Sequence, residues 1–191
     1  MSSPQTYPTQ LDAYNLIHSG ILAFSYAEQA GMRVDVDYCK RKISFLERKI
    51  ARLQRQLNKT KFMSHWQKVY GAKADVTNDH QLRNILYNKR GYTPPHYTDS
   101  GNGAVDEDAL SQIDLPELQK IVEIRKCYKL KDTYLDSFLR EQVNGYIHPI
   151  LNLHTAQTFR PSTSNPNLAN IPKRQKWMMQ TCRQALYPRP G

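Results

Sequence analysis

The sequence predicts a predominantly helical α+β fold: a long antiparallel helix pair with a small helical tip, followed by the first strand or strands of a second domain. Apolar residues recur at alternating intervals of four and three from Cys39 to Leu57, which is typical of a helix that packs one narrow face on a partner. A second long helical pattern begins at Leu115. After a turn signal at Asn144, residues 146–158 are predicted to be extended.

This pattern divides the chain into three predicted parts. Residues 1–10 are rich in Ser, Pro and Thr and are expected to form a flexible tail. Residues 11–144 are expected to form the helical domain, and residues 145–191 the incomplete start of the second domain. Within the helical domain, Gly31 is well placed to end the first helix, and Asp35 or Asp37 to cap the second.

The connections between the two long helices are predicted to form the small tip. Residues 58–75 are interpreted as irregular and basic, with Trp66 either stacking on bases or, as is more common, anchoring a small lobe. A short helix capped at Asn78 follows, and then a loop over residues 92–104. Asp106 is expected to cap the next short helix.

The charge balance points to a polyanionic partner. The 191 residues carry 27 Lys and Arg against 17 Asp and Glu, a formal net charge of +10. Such an excess suits nucleic acid, although it would also suit an anionic membrane surface. No apolar run approaches the roughly 18 residues of a membrane span, so we expect no membrane partner and a cytoplasmic location, with association to the nucleoid or a phage-infected bacterial cell both plausible.

The cysteines and histidines give no metal or disulfide signal. The three cysteines are widely spaced and form no C-x-x-C pair, which argues against a zinc site and a disulfide scaffold. His148 and His154 lie an even number of residues apart and could share one side of a strand. Hydrogen-bonded histidines beside a sheet are a far more common arrangement than a two-histidine metal site.

A polar stretch over residues 154–174 is the strongest candidate site. Pro161, Pro166 and Pro172 exclude a long helix, so an extended ribbon rich in hydroxyl and amide groups is expected. Ser, Thr and Asn side chains can donate to phosphate and sugar oxygens, and Arg160 could reach a phosphate or a base edge. On composition alone, an ordinary polar surface loop is the competing interpretation.

The order of residues in this ribbon resembles a motif of family A DNA polymerases, the DNA polymerase I type. Residues 158–172 read T-F-R-P-S-T-S-N-P-N-L-A-N-I-P, and the family motif is T-G-R-L-S-S-x-x-P-N-L-Q-N-I-P. Further segments are similar to family elements: residues 28–35 (E-x-x-G-h-x-h-D, h apolar), 78–91 (S-x-x-Q-L-x-x-I-L-F-x-K-x-G) and 125–134 (R-x-x-x-K-L-x-S/T-T-Y). The resemblance covers nearly the whole chain and implies the thumb and first palm segment of such a polymerase.

The resemblance implies primer–template DNA as the partner. The long helices would lie along the duplex, and Arg160, Asn167 and Asn170 would reach the N3 and O2 acceptors of the minor groove, which occupy similar positions in all correct base pairs. In this sequence Ala169 replaces the motif's Gln, so one minor-groove donor is lost. The DNA-binding residues implied are Arg125, Lys129, Lys131, Thr158, Arg160, Ser162, Asn167, Asn170 and Arg174.

The resemblance also identifies what the sequence does not contain. The family holds Mg²⁺ on aspartates in a D-Y-S-x-I-E-L-R strand and an H-D-E turn, and neither motif occurs in these 191 residues. We therefore expect that this chain binds no cofactor and has no catalytic residue of its own, that Mg²⁺ belongs to the complete nucleotidyltransferase, and that this chain alone does not polymerise. A second polypeptide carrying the rest of the palm and the fingers is the expected partner.

Three functional hypotheses follow from the sequence. The first is the DNA-clamping part of a split or truncated polymerase that acts in DNA replication or repair. The second is a free-standing, non-catalytic DNA-binding clamp derived from a polymerase thumb. The third is a helical interaction protein that uses the apolar stripe from Cys39 to Leu57, with its basic surface incidental. An isolated strand needs neighbouring strands with which to pair. We expect the extended residues 146–158 to pair with strands outside this chain, which favours the first hypothesis.

Overall fold

The computed structural model describes residues 9–153, 155, 160–173 and 175–188. It is predominantly helical with a few short strands, as predicted. The chain forms two compact units: Lys42–Lys131, and Met1–Arg41 together with Asp132–Gly191. These units divide the chain after Arg41 and after Lys131, and the predicted domain boundary after residue 144 stays a prediction.

The helices largely follow the apolar periodicity of the sequence. Capping side chains mark several starts: Asp35 Oδ1 accepts the Tyr38 amide (2.8 Å), and Asp106 Oδ1 accepts the Ala109 amide (2.8 Å). Two segments continue as π-helical turns, Asn84–Lys89 after α4 and Lys129–Leu135 after α6. The helices are α1 (Gln10–Ala30), α2 (Val36–Asn58), α3 (Lys61–Tyr70), α4 (Asp79–Arg83), α5 (Glu107–Ser111), α6 (Pro116–Tyr128), α7 (Asp136–Glu141) and α8 (Lys176–Gln184).

The unit Lys42–Lys131 is built around the predicted helix seam. The apolar stripe of α2 is buried at Leu46, Ile50, Leu53 and Leu57, where it contributes to one apolar core. Polar groups join α2 to α6 beside this core: Lys49 Nζ lies 2.7 Å from a carboxylate oxygen of Glu123, and Gln54 donates to the Tyr128 hydroxyl (3.2 Å). Fully buried side chains of this unit include Trp66, Phe62, Leu82, Ile85, Leu86, Leu118, Ile121 and Ile124.

The prediction that residues 58–75 are irregular was wrong, because most of them form α3. Thr60 caps this helix by accepting the Met63 amide (3.2 Å). Trp66 is fully buried, packs edge-on against Phe62, and donates its indole N–H to Gln81 (3.0 Å). Trp66 therefore anchors the tip, which is the more common of the two roles that its sequence context suggested.

The other unit contains two small antiparallel sheets. One has the strand order β2–β1–β5, formed by Tyr146–Ile147, Met32–Val34 and Leu186–Tyr187. The other pairs β3 (Ile150–Asn152) with β4 (Ser162–Ser164). The expectation that the extended segment after Asn144 lacks neighbours in this chain was wrong, since β1 pairs with β2 and β4 pairs with β3.

Gly31 sits where the first helix ends and β1 begins. Its φ of 66° lies in the left-handed region, and a Cβ there would come within 2.9 Å of the Ile147 carbonyl oxygen and closer still to the His148 ring. His148 Nδ1 lies 2.7 Å from the Glu28 carbonyl oxygen, the hydrogen-bonded role expected for it beside a sheet. His154 lies outside the described residues.

All three cysteines are free and buried. Burial raises the pKa of the Cys39 thiol to about 11 and that of the Cys182 thiol to about 12. Both thiols therefore stay protonated at neutral pH and act as small apolar core groups.

Candidate nucleic-acid interface

The polar ribbon of residues 160–173 is held in one conformation by its own side chains. Thr163 Oγ1 accepts the Ala169 amide (2.9 Å) and donates to Asn167 Oδ1 (3.2 Å). Asn167 Oδ1 also accepts the Asn170 amide (3.2 Å), which forms a 3₁₀ turn at Leu168–Asn170. The ribbon is therefore an ordered turn and strand.

The ribbon is also fixed to its surroundings. Ser162 lies in β4, opposite Asn152 of β3, and its hydroxyl lies 2.9 Å from that of Thr155. The buried Tyr134 donates its hydroxyl to the Asn170 carbonyl oxygen (2.8 Å). This tether joins the ribbon to the π-helical segment after α6.

The predicted ribbon residues divide by exposure. Arg160, Asn167 and Asn170 are exposed, and Ser162 is half-buried. Thr158 and Arg174 lie outside the described residues. The exposed arginine and two amides are the groups that could donate to base edges or sugar oxygens.

Arg125 has a structural environment. Its Nε donates to the Val76 carbonyl oxygen (2.8 Å), and its Nη1 donates to the Val105 carbonyl oxygen (3.2 Å) and lies 2.8 Å from a carboxylate oxygen of Asp79. Burial lowers the pKa of this guanidinium, and the Asp79 carboxylate opposes that shift. Arg125 thereby joins three segments of its unit, so we assign it to the fold and leave it out of the proposed DNA contacts.

The other two predicted helix cations differ in environment. Lys129 is exposed at the start of the π-helical turn. The Lys131 side chain is only 18% exposed, and its Nζ lies 3.9 Å from a carboxylate oxygen of Glu47. Arg125 and Lys129 are four positions apart, so they could project from one helix face, but of the two only Lys129 is exposed. Contact of Lys129 and Lys131 with phosphate stays a prediction.

A row of cations that the candidate-site prediction did not include lies on the exposed side of α2. Arg48, Arg52 and Arg55 of α2, with the apolar Phe45 before them and Lys59 directly after the helix ends, follow the same alternating intervals as the buried stripe, displaced by two positions. Two positions correspond to roughly 200° around a helix, so this row, here called the basic stripe, lies opposite the seam. All five residues are exposed, Phe45 to 53%.

The cations of the basic stripe are not neutralised by acidic partners. Within the part of the chain that the structure describes, no carboxylate oxygen lies within 4.0 Å of Arg48, Arg52, Arg55 or Lys59. From sequence alone, the charges of α2 can form either a solvated face or a phosphate-facing one. The sequence signal that could have distinguished them is a second set of alternating four- and three-residue intervals, displaced by two positions from the apolar set.

Two further searches concern metals and membranes. Among the described residues, no group of three or more His, Cys, Asp or Glu side chains could hold a metal ion. These residues therefore do not fit a Mg²⁺ site, and we derive no catalytic step through one. In the same part of the chain, no helix combines the length and apolar character needed to cross a membrane. The cytoplasmic location stays a prediction.

Comparison with known proteins identifies the family. The model of the DNA polymerase family A matches residues 43–191. The chain belongs to DNA polymerase family A. It is 32% identical over 167 residues to DNA polymerase I of Synechocystis sp., and 26% identical over 178 residues to DNA polymerase DpoZ of Salmonella phage PMBT28. These matches cover 84% and 86% of the chain, and the chain spans only 16% and 28% of those two family A relatives.

A solved structure of the family agrees with the fold. The POL domain of Pol1 from M. smegmatis, in complex with DNA primer-template and dNTP, is similar with a TM-score of 0.68 and 27% identity. The similarity covers 85% of this chain and 27% of that one. The predicted membership of family A and the predominantly helical α+β fold class are confirmed.

Proposed function

We propose that residues 1–191 form the thumb and first palm segment of a family A DNA polymerase and clamp the primer–template duplex. Membership of the family and similarity to a polymerase domain bound to primer-template DNA support this proposal. The observation that carries it is the basic stripe on α2. Its cations are exposed on the side opposite the buried seam, and no carboxylate oxygen of the described residues lies within 4.0 Å of them.

The stripe suits a phosphodiester backbone. Arg48, Arg52 and Arg55 extend over about 10 Å of helix, because each residue adds about 1.5 Å along the axis. Phosphates of one DNA strand recur about every 3.4 Å along the duplex axis, so a row of about 10 Å could face about three of them. Exposed guanidinium groups can bind phosphate in the bidentate manner in which they bind carboxylate. Binding through such contacts is independent of sequence, as a replicating or repairing polymerase requires.

The polar ribbon would supply the contacts that depend on base-pair geometry. Arg160, Asn167 and Asn170 present exposed donors, and minor-groove acceptors occupy similar positions in every correct base pair. Thr158 and Ser162 belong to the same motif in sequence, and Arg174 follows it by two residues. Lys129 and Lys131 are proposed as further backbone contacts on the helical side.

Catalysis belongs in this proposal to polypeptide outside residues 1–191. Nucleotidyl transfer needs carboxylates that place the metal ions, and neither family aspartate motif occurs in this sequence. We therefore propose that residues 1–191 bind DNA without extending it, and that Mg²⁺ is held by the partner polypeptide that carries the rest of the palm and the fingers.

The test measures binding of a fluorescently labelled primer–template by anisotropy over a range of salt concentrations. Wild-type protein should bind it more tightly than either single strand. Arg52→Gln should reduce the log–log salt slope by roughly 0.9, the value for one phosphate contact. Arg140→Gln is the matched control, because it removes the same charge from an exposed arginine that is already paired with Glu141 (2.9 Å).

Two results would contradict the proposal. Equal slope changes in both variants would mean that the stripe acts only through net charge. Equal affinity of the wild-type protein for duplex and single strands would favour the helical interaction protein over a clamp.

A further inference from the structure

One member of the basic stripe is an aromatic residue. Phe45 is 53% exposed, although its ring has no polar group that could bond to water. A single exposed apolar residue is ordinary on a protein surface. Phe45 differs from such a residue in its position, because it lies in one row with Arg48 and Arg52. Phosphate contacts made by those arginines leave the ring without a role.

The ring and the nearest cations line one surface groove. Phe45, Arg48 and Arg52 project within roughly 60° of one another, because each residue turns a helix by about 100°. They follow one another over about 10 Å of the helix axis, at about 1.5 Å per residue. Together with Lys49 they line a groove of about 310 Å³ on the surface of the unit Lys42–Lys131. An apolar ring and two guanidinium groups therefore open to the same space.

The groove is cationic. Lys49 is paired with Glu123 (2.7 Å), whereas no carboxylate oxygen of the described residues lies within 4.0 Å of Arg48 or Arg52. A groove of this charge attracts an anionic ligand, and its aromatic wall suits a ligand that also has a flat apolar face. Nucleic acid has both properties, because each nucleotide joins a phosphate to a base with a π face.

Only an unpaired base can present that face to a side chain. Each base in a duplex is stacked between its neighbours, whereas an unpaired base can stack on an aromatic ring. Proteins that bind single strands combine a cationic groove along the backbone with aromatic side chains under the bases. A helix that lies on a lipid surface would instead expose a broad apolar face, and the apolar stripe of α2 is buried in the seam.

We infer that Phe45 stacks on an unpaired base, while Arg48 and Arg52 bind the phosphates beside it. The ligand is a single-stranded segment of DNA, the template overhang of a primer–template. This inference rests on the proposed function, because a duplex that lies along the basic stripe brings its overhang to Phe45. It adds a contact that a blunt duplex does not make.

The experiment compares two primer–templates that differ only in the overhang. One overhang carries thymine bases, and the other carries abasic sites, which keep the phosphates and remove the bases. Anisotropy at one salt concentration gives the ratio of affinities for the two ligands. The proteins are wild type, Phe45→Leu, which keeps an apolar side chain without a π face, and Phe45→Trp, which keeps a π face. Tyr97→Ala is the matched control, because Tyr97 is exposed (64%) in a loop, residues 91–104, that contains no Lys or Arg.

We expect wild type to prefer the overhang with bases by at least about fivefold, because stacking of one base on an aromatic side chain contributes about that factor or more. Phe45→Trp and Tyr97→Ala should keep this preference, and Phe45→Leu should lose it. All four proteins should bind a blunt duplex equally, because Arg48 and Arg52 are unchanged. Their circular dichroism should also match, since both substituted side chains are exposed.

Three outcomes would overturn the inference. Phe45→Leu could keep the wild-type preference, or wild type could bind the two overhangs equally. Phe45→Leu could also weaken binding of the blunt duplex as much as binding of the overhang, which would mean that the ring packs on paired DNA.

Failure of the proposed function gives a different result. The same comparison is repeated with free single strands, with and without bases. A protein that prefers bases there, but does not prefer primer–template to single strands, has the stacking site and is not a duplex clamp.

Discussion

The unit Lys42–Lys131 buries its large apolar side chains, whereas helix α1 leaves its own exposed. The first encloses Trp66, Leu82 and their neighbours completely, with polar bonds between its segments. The second has a capped, ordered backbone but no buried residue. Both carry large apolar side chains on ordered helices. The difference lies in whether the covering surface is present within the same unit.

This contrast teaches that order and burial are separate properties of a helix. Local hydrogen bonds and caps define where α1 begins and ends, whereas tertiary packing supplies most of the stability of a helix in water. The unit Lys42–Lys131 should therefore tolerate little change in its apolar side chains, and α1 should tolerate much more. The following predictions test that contrast in order of decreasing effect.

The largest effect is expected for Trp66→Ala. Trp66 is fully buried, packs against Phe62 with ring centroids 5.7 Å apart, and donates to Gln81. Its removal should lower the free energy of unfolding by about 3–5 kcal/mol. Urea denaturation followed by far-ultraviolet circular dichroism would measure this loss.

The matched control is Val69→Ala in the same helix, because Val69 is 38% exposed. Its effect should stay within about 1 kcal/mol. Similar losses in the two variants would mean that Trp66 does not anchor the tip.

A smaller but clear loss is expected for Arg125→Ala. This change leaves the carbonyl oxygens of Val76 and Val105 without the donor that now satisfies them. We expect a loss of about 2–3 kcal/mol, because each unsatisfied buried acceptor costs about 1–3 kcal/mol and water would reach part of the site. Lys129→Ala, at an exposed cation nearby, should change stability by less than about 0.5 kcal/mol.

Measurements of DNA binding distinguish a structural role of Arg125 from a role in contacting DNA. At temperatures where the Arg125→Ala protein remains folded, its salt slope for primer–template should equal that of wild type. A slope reduced by about 0.9 would return Arg125 to the DNA contacts.

The cap of α2 should give a modest, pH-dependent effect. Hydrogen bonds from the Tyr38 amide and the Tyr187 hydroxyl lower the pKa of Asp35. A carboxyl whose pKa is lower in the folded state stabilises the fold above its unfolded pKa of about 3.9, and this contribution disappears as pH falls through the folded value. Asp35→Ala should therefore cost about 1 kcal/mol at pH 7 and less in acid.

Thermal denaturation of both proteins at neutral and acidic pH would show this convergence. A difference that stayed constant as the carboxyl protonated would assign the effect to backbone propensity and not to the ionised cap.

The smallest effect is expected in α1. Leu22→Ala should change the free energy of unfolding by less than about 0.5 kcal/mol, because the side chain is 50% exposed. The same substitution at the fully buried Leu82 should cost about 3–5 kcal/mol. A large loss from Leu22→Ala would show that α1 is covered within this chain.

Periodic and local signals predicted much of the fold. The seam of α2 follows from regular spacing, and the caps at Asp35 and Asp106 follow from side chains that bond a backbone amide three residues on. Helix α3 was missed because it has only ten residues, and its buried positions, Phe62, Met63 and Trp66, are too few to show a repeating helical interval. The three-residue strand β1 was missed because so short a segment carries no period of its own.

The candidate site was less predictable than the fold. The role of Arg125 depends on carbonyl groups 20 and 49 residues away in the chain, which no local pattern indicates. Family motifs indicated Arg160, Asn167 and Asn170 as candidate DNA-binding residues, and the structure finds all three exposed. The cations of the basic stripe could be distinguished from ordinary surface charges only when the buried side of α2 was known.

The hydrogen bond from Tyr134 to Asn170 has a consequence for the thermodynamics of association. Fixing the backbone of a flexible residue costs roughly 1–2 kcal/mol, and a loop that is ordered by its ligand adds that cost to every binding event. In this chain Thr163, Asn167 and Tyr134 hold the ribbon through hydrogen bonds within the protein itself. Under the proposed function, this preorganisation means that the ordering entropy is spent during folding, so Tyr134→Phe should weaken primer–template binding through entropy without removing any contact to DNA.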